Sequence, residues 1–122
     1  METKSVYERM TQAEREVAEE LKKLGIHWSF EHPIFVWDDN KRPRVWAPDF
    51  YLKEFGIYVE VCGSEDFNYS YRRKILDKNG IRVIFLHLYK NKEKWKYHLV
   101  NYLEKCAFYR FKKLNKILNS KN

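Results

Sequence analysis

Hydrophobic residues recur along the chain with two different periods, and the changes of period divide it into seven predicted elements. Helical spacing begins after Thr11, which forms a capping box with Glu14, and this first helix ends at Gly25. Alternating or continuous apolar runs predict strands over residues 27–34, 45–52, 57–62 and 81–88. Helical spacing returns over residues 69–79 and about 92–118. The order α-β-β-β-α-β-α predicts an α/β domain around a mixed central sheet.

The connections between these elements carry distinct signals. The first helix is expected to bury one face, on which Glu14 also falls by its spacing; the apolar members of that face are Met10, Val17, Leu21 and Leu24. Residues 37–43 read as a polar turn and residues 64–68 as a loop. At 122 residues the chain forms one domain, with its core over about 11–88 and a long C-terminal helix.

The turn at residues 53–56 fixes how the second and third strands face each other. If Leu52 pairs with Ile57 across this turn, Asp49 lies directly opposite Glu60. Opposed side chains in a sheet have Cβ atoms about 4.5–5.5 Å apart, and like charges there are destabilising. Because Glu60 also interrupts an apolar run, it is expected to enter a partly buried site.

Two neighbouring buried carboxylates can share a divalent cation, and Mg²⁺ prefers such hard oxygen ligands. The structural alternative is that Asp49 caps the turn at Pro48 while Glu60 pairs with a neighbouring lysine or arginine. With Glu14 facing the same region, the sequence favours the metal site.

Pro48-Asp49, a short hairpin, and then Glu60-Val61-Cys62 resemble the motif of the PD-(D/E)XK nuclease superfamily. This superfamily includes restriction enzymes, archaeal Holliday-junction resolvases and very-short-patch repair endonucleases. The preceding helix and the following helix and strand match the αβββαβ order of its restriction-endonuclease-like core. The resemblance covers roughly residues 11–88.

The resemblance implies a metal-dependent endonuclease that hydrolyses phosphodiester bonds of DNA. Asp49, Glu60 and the backbone carbonyl of Val61 would bind Mg²⁺ or Mn²⁺, and Glu14 would act on the metal directly or through water. The cation would lower the pKa of its bound water and offset charge on the phosphate.

Cys62 departs from the motif, because the family usually has lysine at this position. Three explanations stay open: the lysine role has moved to the next helix, the metal alone suffices, or catalysis is lost and only nucleic-acid binding remains. Lys74 is the preferred replacement, since it is expected to reach the sheet edge, and Arg72 is the second choice. Cys62 as a nucleophile lacks an evident base.

Several further residues have both a functional and a structural interpretation. His87 ends an apolar strand, where a hydrogen-bonded core histidine is more common than a proton carrier. Trp37 and Trp46 can stack on unpaired bases or pack in the core. The residues expected to contact nucleic acid are Arg42, Arg44, Arg72 and Arg73.

The net charge of +7 is concentrated at the C-terminal end. Residues 90–122 hold ten basic and two acidic side chains, which suits a polyanion such as DNA, with RNA also open. A protein-interaction module that docks this basic helix on an acidic partner is a third class of function. The long helix has a second apolar face that is expected to pair with another copy in a homodimer; it consists of Leu103, Ala107, Phe111 and Leu114.

Composition narrows the location of the protein. No apolar run approaches the roughly 18 residues of a membrane span, and the N-terminus lacks the apolar stretch of a secretory signal. Two cysteines without a CxxC spacing favour a reducing compartment, so a cytoplasmic location is expected.

Overall fold

The computed structural model of the chain describes residues 5–65, 68–90 and 93–120. Within these ranges, a short 3-10 helix, Val6–Arg9, precedes three α-helices and six strands. The helices are α1 (Gln12–Lys23), α2 (Ser70–Lys78) and α3 (Lys94–Asn119). The strands are β1 (Ser29–Phe30), β2 (Ile34–Trp37), β3 (Pro43–Trp46), β4 (Phe50–Leu52), β5 (Ile57–Cys62) and β6 (Val83–His87).

The main sheet has four strands in the order β1-β4-β5-β6. β1, β4 and β5 are antiparallel neighbours, whereas β5 and β6 run parallel and are joined through α2. This mixed sheet confirms the predicted α/β class. β2 and β3 form a separate two-stranded antiparallel sheet, which we call the ribbon.

Helices cover both faces of the main sheet. On one face, α1 and α3 bury Val17, Leu21, Trp95, Leu99 and Leu103 against alternate residues of β4, β5 and β6. On the other face, a smaller cluster is formed by residues of α2, the ribbon and the sheet: Val36, Cys62, Ile75, Leu76 and Phe85. Because side chains alternate along β5, its successive residues point into these two different environments.

The predicted capping box of α1 is present. The Thr11 hydroxyl accepts the N–H of Glu14 at 3.2 Å, and the Glu14 carboxylate accepts the N–H of Thr11 at 2.7 Å. Met10, Val17 and Leu21 are buried as expected. Leu24 is exposed, contrary to the prediction, because the helix ends at Lys23 and the chain turns away through Gly25 at φ 72°.

Two predicted strands are each divided into two. The segment 27–34 breaks at Glu31, whose φ is 55° and whose N–H bonds the carbonyl of Asp49 at 2.9 Å. The segment 45–52 breaks between β3 and β4. In each case one half pairs in the main sheet and the other in the ribbon, so the predicted turn 37–43 shortens to residues 38–42. Periodicity along one strand contains no information about which partner each half takes.

α3 packs against the sheet only along its N-terminal half. Trp95, Leu99 and Leu103 are buried, whereas the residues from 107 to 120 are all exposed. Leu103 therefore belongs to the core and not to the free face to which it was assigned, because it lies one turn beyond Leu99 on the same side. Among the described residues, no helix combines the length and apolar composition needed to cross a membrane.

Candidate active site

The turn between β4 and β5 gives the predicted register. Leu52 pairs with Ile57 and Phe50 with Val59, so the next position places Asp49 beside Glu60. Gly56, at φ 66°, supplies the left-handed conformation that closes the turn, and its N–H bonds the carbonyl of Leu52 at 2.9 Å. Asp49 follows Pro48 just before β4 begins, and its Oδ2 accepts the N–H of Val61 at 2.7 Å.

Glu60 is buried to 5% exposure and has a basic partner. An Nη atom of Arg72 lies 3.1 Å from Glu60 Oε1, and both side chains are largely shielded from water. The pairing of Glu60 with an arginine was the structural alternative at the sequence level, and the metal site was preferred. The structure places an ion pair there, beside a second carboxylate that has no such partner among the described residues.

Glu14 completes a group of three carboxylates. The capping box holds its side chain at the first turn of α1, close enough to Asp49 and Glu60 to raise the pKa of both. The three residues come from α1, the start of β4 and the middle of β5. Their convergence depends on α1 packing against the sheet beside β5.

Burial raises the pKa of two of these carboxyl groups. Burial, and then the negative charge of Glu60, raise the pKa of Asp49 to about 8. Burial also raises the pKa of Glu60, although the Arg72 guanidinium opposes this shift. The site therefore contains more acidic groups than the positive charge of Arg72 can neutralise.

Arg72 is fixed from two sides. Its guanidinium lies over the Trp46 ring of β3, 4.9 Å from the centroid, while one end bonds Glu60. Its Nε is buried and has no hydrogen-bond partner among the described residues. A buried donor without a partner is costly, so Arg72 retains a donor that a ligand can satisfy.

Lys74, the preferred replacement for the motif lysine, does not lie at the carboxylates. Its Nζ pairs with Asp39 at 3.3 Å on the outer side of α2. Arg72, the second choice, occupies that place because Ile75 and Leu76 define the buried face of α2, and residue 72 lies one turn before both. The signal in the sequence that favoured Arg72 was the apolar Leu76, which together with Ile75 defines the face of α2 that is buried.

The other predicted nucleic-acid contacts are divided between two surfaces. Arg42 lies at the tip of the ribbon, and Arg44 pairs with the buried Asp38 at 3.0 Å. Arg73 lies over the Phe85 ring and, with Lys74 and His87, lines an open cavity of about 600 Å³ at the C-terminal ends of β5 and β6.

Cys62 is fully buried next to the carboxylates. It packs in the smaller cluster with Ile75 and Phe85, and its thiol interacts with the side chain of Tyr69. Burial raises the pKa of Cys62 to about 12, so the thiol is protonated at neutral pH. Cys62 thus brings neither positive charge nor a thiolate to the site, and sequence analysis did not find its contact with Tyr69.

The half-buried His87 pairs with Cys62 across β5 and β6. Its Nδ1 is buried without a hydrogen-bond partner among the described residues. Burial, together with Lys90 and Arg73, lowers its pKa, so the ring is neutral at physiological pH. His87 was expected to be a hydrogen-bonded core histidine, and its Nδ1 does not meet that expectation.

The donors of this site are chemically suited to a hard divalent cation. Asp49, Glu60 and Glu14 provide carboxylate oxygens, the ligands that Mg²⁺ and Mn²⁺ prefer. As arranged, the described residues contain no group of three or more His, Cys, Asp or Glu side chains positioned around one ion. Glu60 faces Arg72 and Glu14 bonds Thr11, so binding requires these side chains to change partners.

Comparisons of the chain with protein-family models, curated proteins and solved structures give no match.

The raised pKa of Asp49 predicts a pH-dependent stability. Between the ordinary value of 3.8 and about 8, the folded protein holds a proton that the unfolded chain has lost, so the free energy of unfolding falls as pH rises through this window. Asp49→Asn keeps the acceptor for Val61 and removes this linkage. We expect the free energy of unfolding of the variant to exceed that of the wild type by at least about 1.4 kcal/mol near pH 9, the equivalent of one pKa unit. Near pH 5 the difference should be much smaller.

Urea unfolding in the presence of chelator measures this difference. The exposed Asp77→Asn is the matched control and should follow the wild-type pH dependence. Parallel pH profiles for wild type and Asp49→Asn would contradict the raised pKa.

The burial of Cys62 predicts low thiol reactivity. In a Cys106→Ser variant, where Cys62 is the only thiol, we expect labelling by a thiol reagent near pH 8 to be at least about 100-fold slower in the folded protein than in denaturant, because burial and a pKa of about 12 leave little accessible thiolate. The reciprocal Cys62→Ser variant reports the half-buried Cys106. Rapid labelling of folded Cys62 would show that the thiol is accessible or ionised.

Proposed function

We propose that the chain is a metal-dependent endonuclease of the PD-(D/E)XK class that hydrolyses phosphodiester bonds of DNA. The observation that carries this proposal is the strand register, which brings Asp49 and Glu60 together in a partly buried site beside Glu14. Two neighbouring carboxyl groups whose pKa values are both raised by burial are expensive to maintain without a function.

The order of elements supports the same class. A helix with an acidic residue, an antiparallel strand pair that carries the two motif acids, a crossing helix and a parallel strand follow one another as in a restriction-endonuclease-like core. The ribbon is an insertion before the Pro48-Asp49 motif in this scheme.

Asp49, Glu60 and the Val61 carbonyl would hold Mg²⁺ or Mn²⁺, with Glu14 as a direct or water-mediated ligand. When bound, the cation supplies positive charge at the phosphate and lowers the pKa of a water that it holds. The chain's own carboxylates keep that water oriented, and their burial strengthens electrostatic interactions inside the site.

Arg72 is the basic residue proposed to act where the motif usually has lysine. Its guanidinium is already adjacent to Glu60, and its buried Nε, which has no partner among the described residues, can donate to a phosphate oxygen once the side chain turns toward the substrate. Once Glu60 binds a cation, the Arg72 guanidinium is available to the phosphate. Cys62 then serves packing, since its neutral, buried side chain cannot take part in charge stabilisation.

The alternative is a catalytically inactive relative that binds nucleic acid. Two observations favour it: Cys62 replaces the motif lysine, and Arg72 offsets the charge of Glu60 without any metal. This alternative predicts salt-sensitive binding to DNA without cleavage, because phosphate contacts release counterions.

Nicking of supercoiled plasmid with Mn²⁺ or Mg²⁺ tests the proposal. We expect cleavage that chelator abolishes and a loss of at least about 100-fold in Asp49→Asn and Glu60→Gln, because these acids hold the cation. Arg72→Ala should lose about 10- to 100-fold, because it removes positive charge beside the phosphate. Lys74→Ala is expected to stay within about threefold of the wild type, because Lys74 pairs with Asp39 away from the carboxylates.

Lys78→Ala is the matched control for Lys74→Ala, since both lysines contact Asp39. Cleavage that persists in chelator contradicts metal dependence. Binding without cleavage in any divalent cation selects the inactive relative, and a larger loss in Lys74→Ala than in Arg72→Ala overturns the role given to Arg72.

We also propose that α3 joins two copies of the chain. Beyond the core, the exposed apolar positions of α3 recur every three or four residues, as in a helix-helix seam; they are Ala107, Phe111, Leu114 and Leu118. Arg110 fixes the first turn of this segment by donating to the carbonyl of Glu54 at 3.0 Å.

Sedimentation equilibrium tests the homodimer. We expect wild type to be dimeric at tens of micromolar and Leu114→Asp to be monomeric, because a charge in the seam has no partner. Lys113→Ala, one residue away, should stay dimeric. A wild-type monomer over this concentration range contradicts the proposal.

A further inference from the structure

The ribbon exposes an apolar surface on the side that faces away from α2. Its outer face consists of Phe35, Trp37, Pro43 and Val45, which occupy two alternate cross-strand pairs, Phe35 with Val45 and Trp37 with Pro43. Phe35 is 82% exposed, Trp37 60% and Val45 61%. Contiguous exposed aromatic side chains mark an interaction surface more often than isolated ones do.

The ribbon holds this face in a defined position. Asn79, the residue that follows α2, accepts the N–H of Trp37 at 2.8 Å and donates to its carbonyl at 3.0 Å. At the tip, the buried Asp38 accepts the N–H groups of Asn40 and Arg42, each at 2.9 Å. The backbone is thus fixed on both sides of Trp37 while its indole ring faces solvent, an arrangement that leaves a binding surface preorganised.

The chemistry of the outer face identifies what it can recognise. Reading base edges in a groove requires side chains that donate or accept several hydrogen bonds, such as arginine, asparagine or glutamine. The outer face offers only apolar and aromatic groups besides the indole N–H. Aromatic rings instead recognise the flat faces of bases, which are accessible where bases are unpaired.

The charge around the face favours a polyanion over a second copy of the chain. Lys41 and Arg42 lie at the tip beside Trp37, and within the described residues neither has a carboxylate within 4 Å. Asp38 and Asp39, the acidic residues of the same turn, already pair with Arg44 and Lys74, so a second copy of this face would offer these cations no unpaired carboxylate. Nucleic acid offers both the rings for stacking and the phosphates for the cations.

The outer face is coupled to the carboxylate site through the inner face of the ribbon. Trp46 pairs with Ile34 in β2, and its ring lies against the Arg72 guanidinium that bonds Glu60. The outer face and the surface that contacts Arg72 are therefore the two opposite faces of the same two-stranded sheet.

We propose that Phe35 and Trp37 stack on unpaired bases, so that the substrate class is a nucleic acid with a single-stranded segment beside the cleaved phosphodiester bond. Cleavage at that position rests on the proposed nuclease function, whereas binding of unpaired bases does not. Paired duplex alone is the poorer ligand for this surface.

Fluorescence anisotropy in chelator tests binding separately from cleavage. The probes are a labelled single-stranded oligonucleotide, an abasic strand of equal length and charge, and a blunt duplex. We expect wild type to bind the base-containing strand at least about tenfold more tightly than the abasic strand and the duplex. Phe35→Ala and Trp37→Ala should each weaken that binding roughly 5- to 100-fold, the range for loss of one stacked base, without changing abasic binding.

Tyr97→Ala is the matched control, because Tyr97 is similarly exposed on α3, far along the chain from the ribbon. It should bind as wild type does. Equal affinity for the abasic strand, or unchanged affinity in Trp37→Ala, overturns the inference. The inference also fails if Trp37→Ala lowers the molecular mass measured by sedimentation and leaves nucleic-acid binding unchanged, since a second copy of the chain then occupies the face. Stacking-dependent binding without cleavage in Mn²⁺ supports the inference and contradicts the nuclease.

Discussion

The juxtaposition of Asp49 and Glu60 is the constraint on which the rest of the site depends. A turn closed by Gly56 sets the register of β4 and β5, and that register leaves two carboxyl groups in a region where burial raises the pKa of both. Neighbouring groups stabilise the two carboxyl groups: Arg72 pairs with Glu60, and the N–H of Val61 donates to Asp49. A protein that only needed a stable sheet would gain from apolar residues at these positions.

Arg72 connects three parts of the molecule that are distant along the chain. It belongs to α2, it bonds a carboxylate of β5, and it lies against Trp46 of the ribbon. This position keeps a positive charge beside the acids although residue 62 is a neutral cysteine. Cys62 then becomes a packing residue, and its small, neutral side chain fits the cluster under α2.

The ribbon adds a second kind of surface to this site. Its inner residues Val36 and Trp46 pack toward α2, whereas its outer residues Phe35 and Trp37 face solvent. The alternation of a β-strand divides these roles between neighbouring residues. The carboxylates of the main sheet and the aromatic side chains of the ribbon thus lie on either side of Arg72. The proposed nucleic-acid ligand has phosphates for the first surface and bases for the second.

The sequence by itself determined the features that depend on local geometry. The capping box of Thr11 and Glu14, the turn before Ile57 and the resulting position of Asp49 beside Glu60 all follow from spacing over a few residues. Tertiary structure decided the features that depend on a distant partner. The division of residues 27–34 and 45–52 between two sheets, the exposure of Trp37, and the choice of Arg72 over Lys74 each depend on how α2 and the ribbon pack together. Residues such as Arg72 and Lys74 have similar charge and similar helix propensity. They differ in which residues of other elements lie opposite them, and the order of residues along the chain contains no such information.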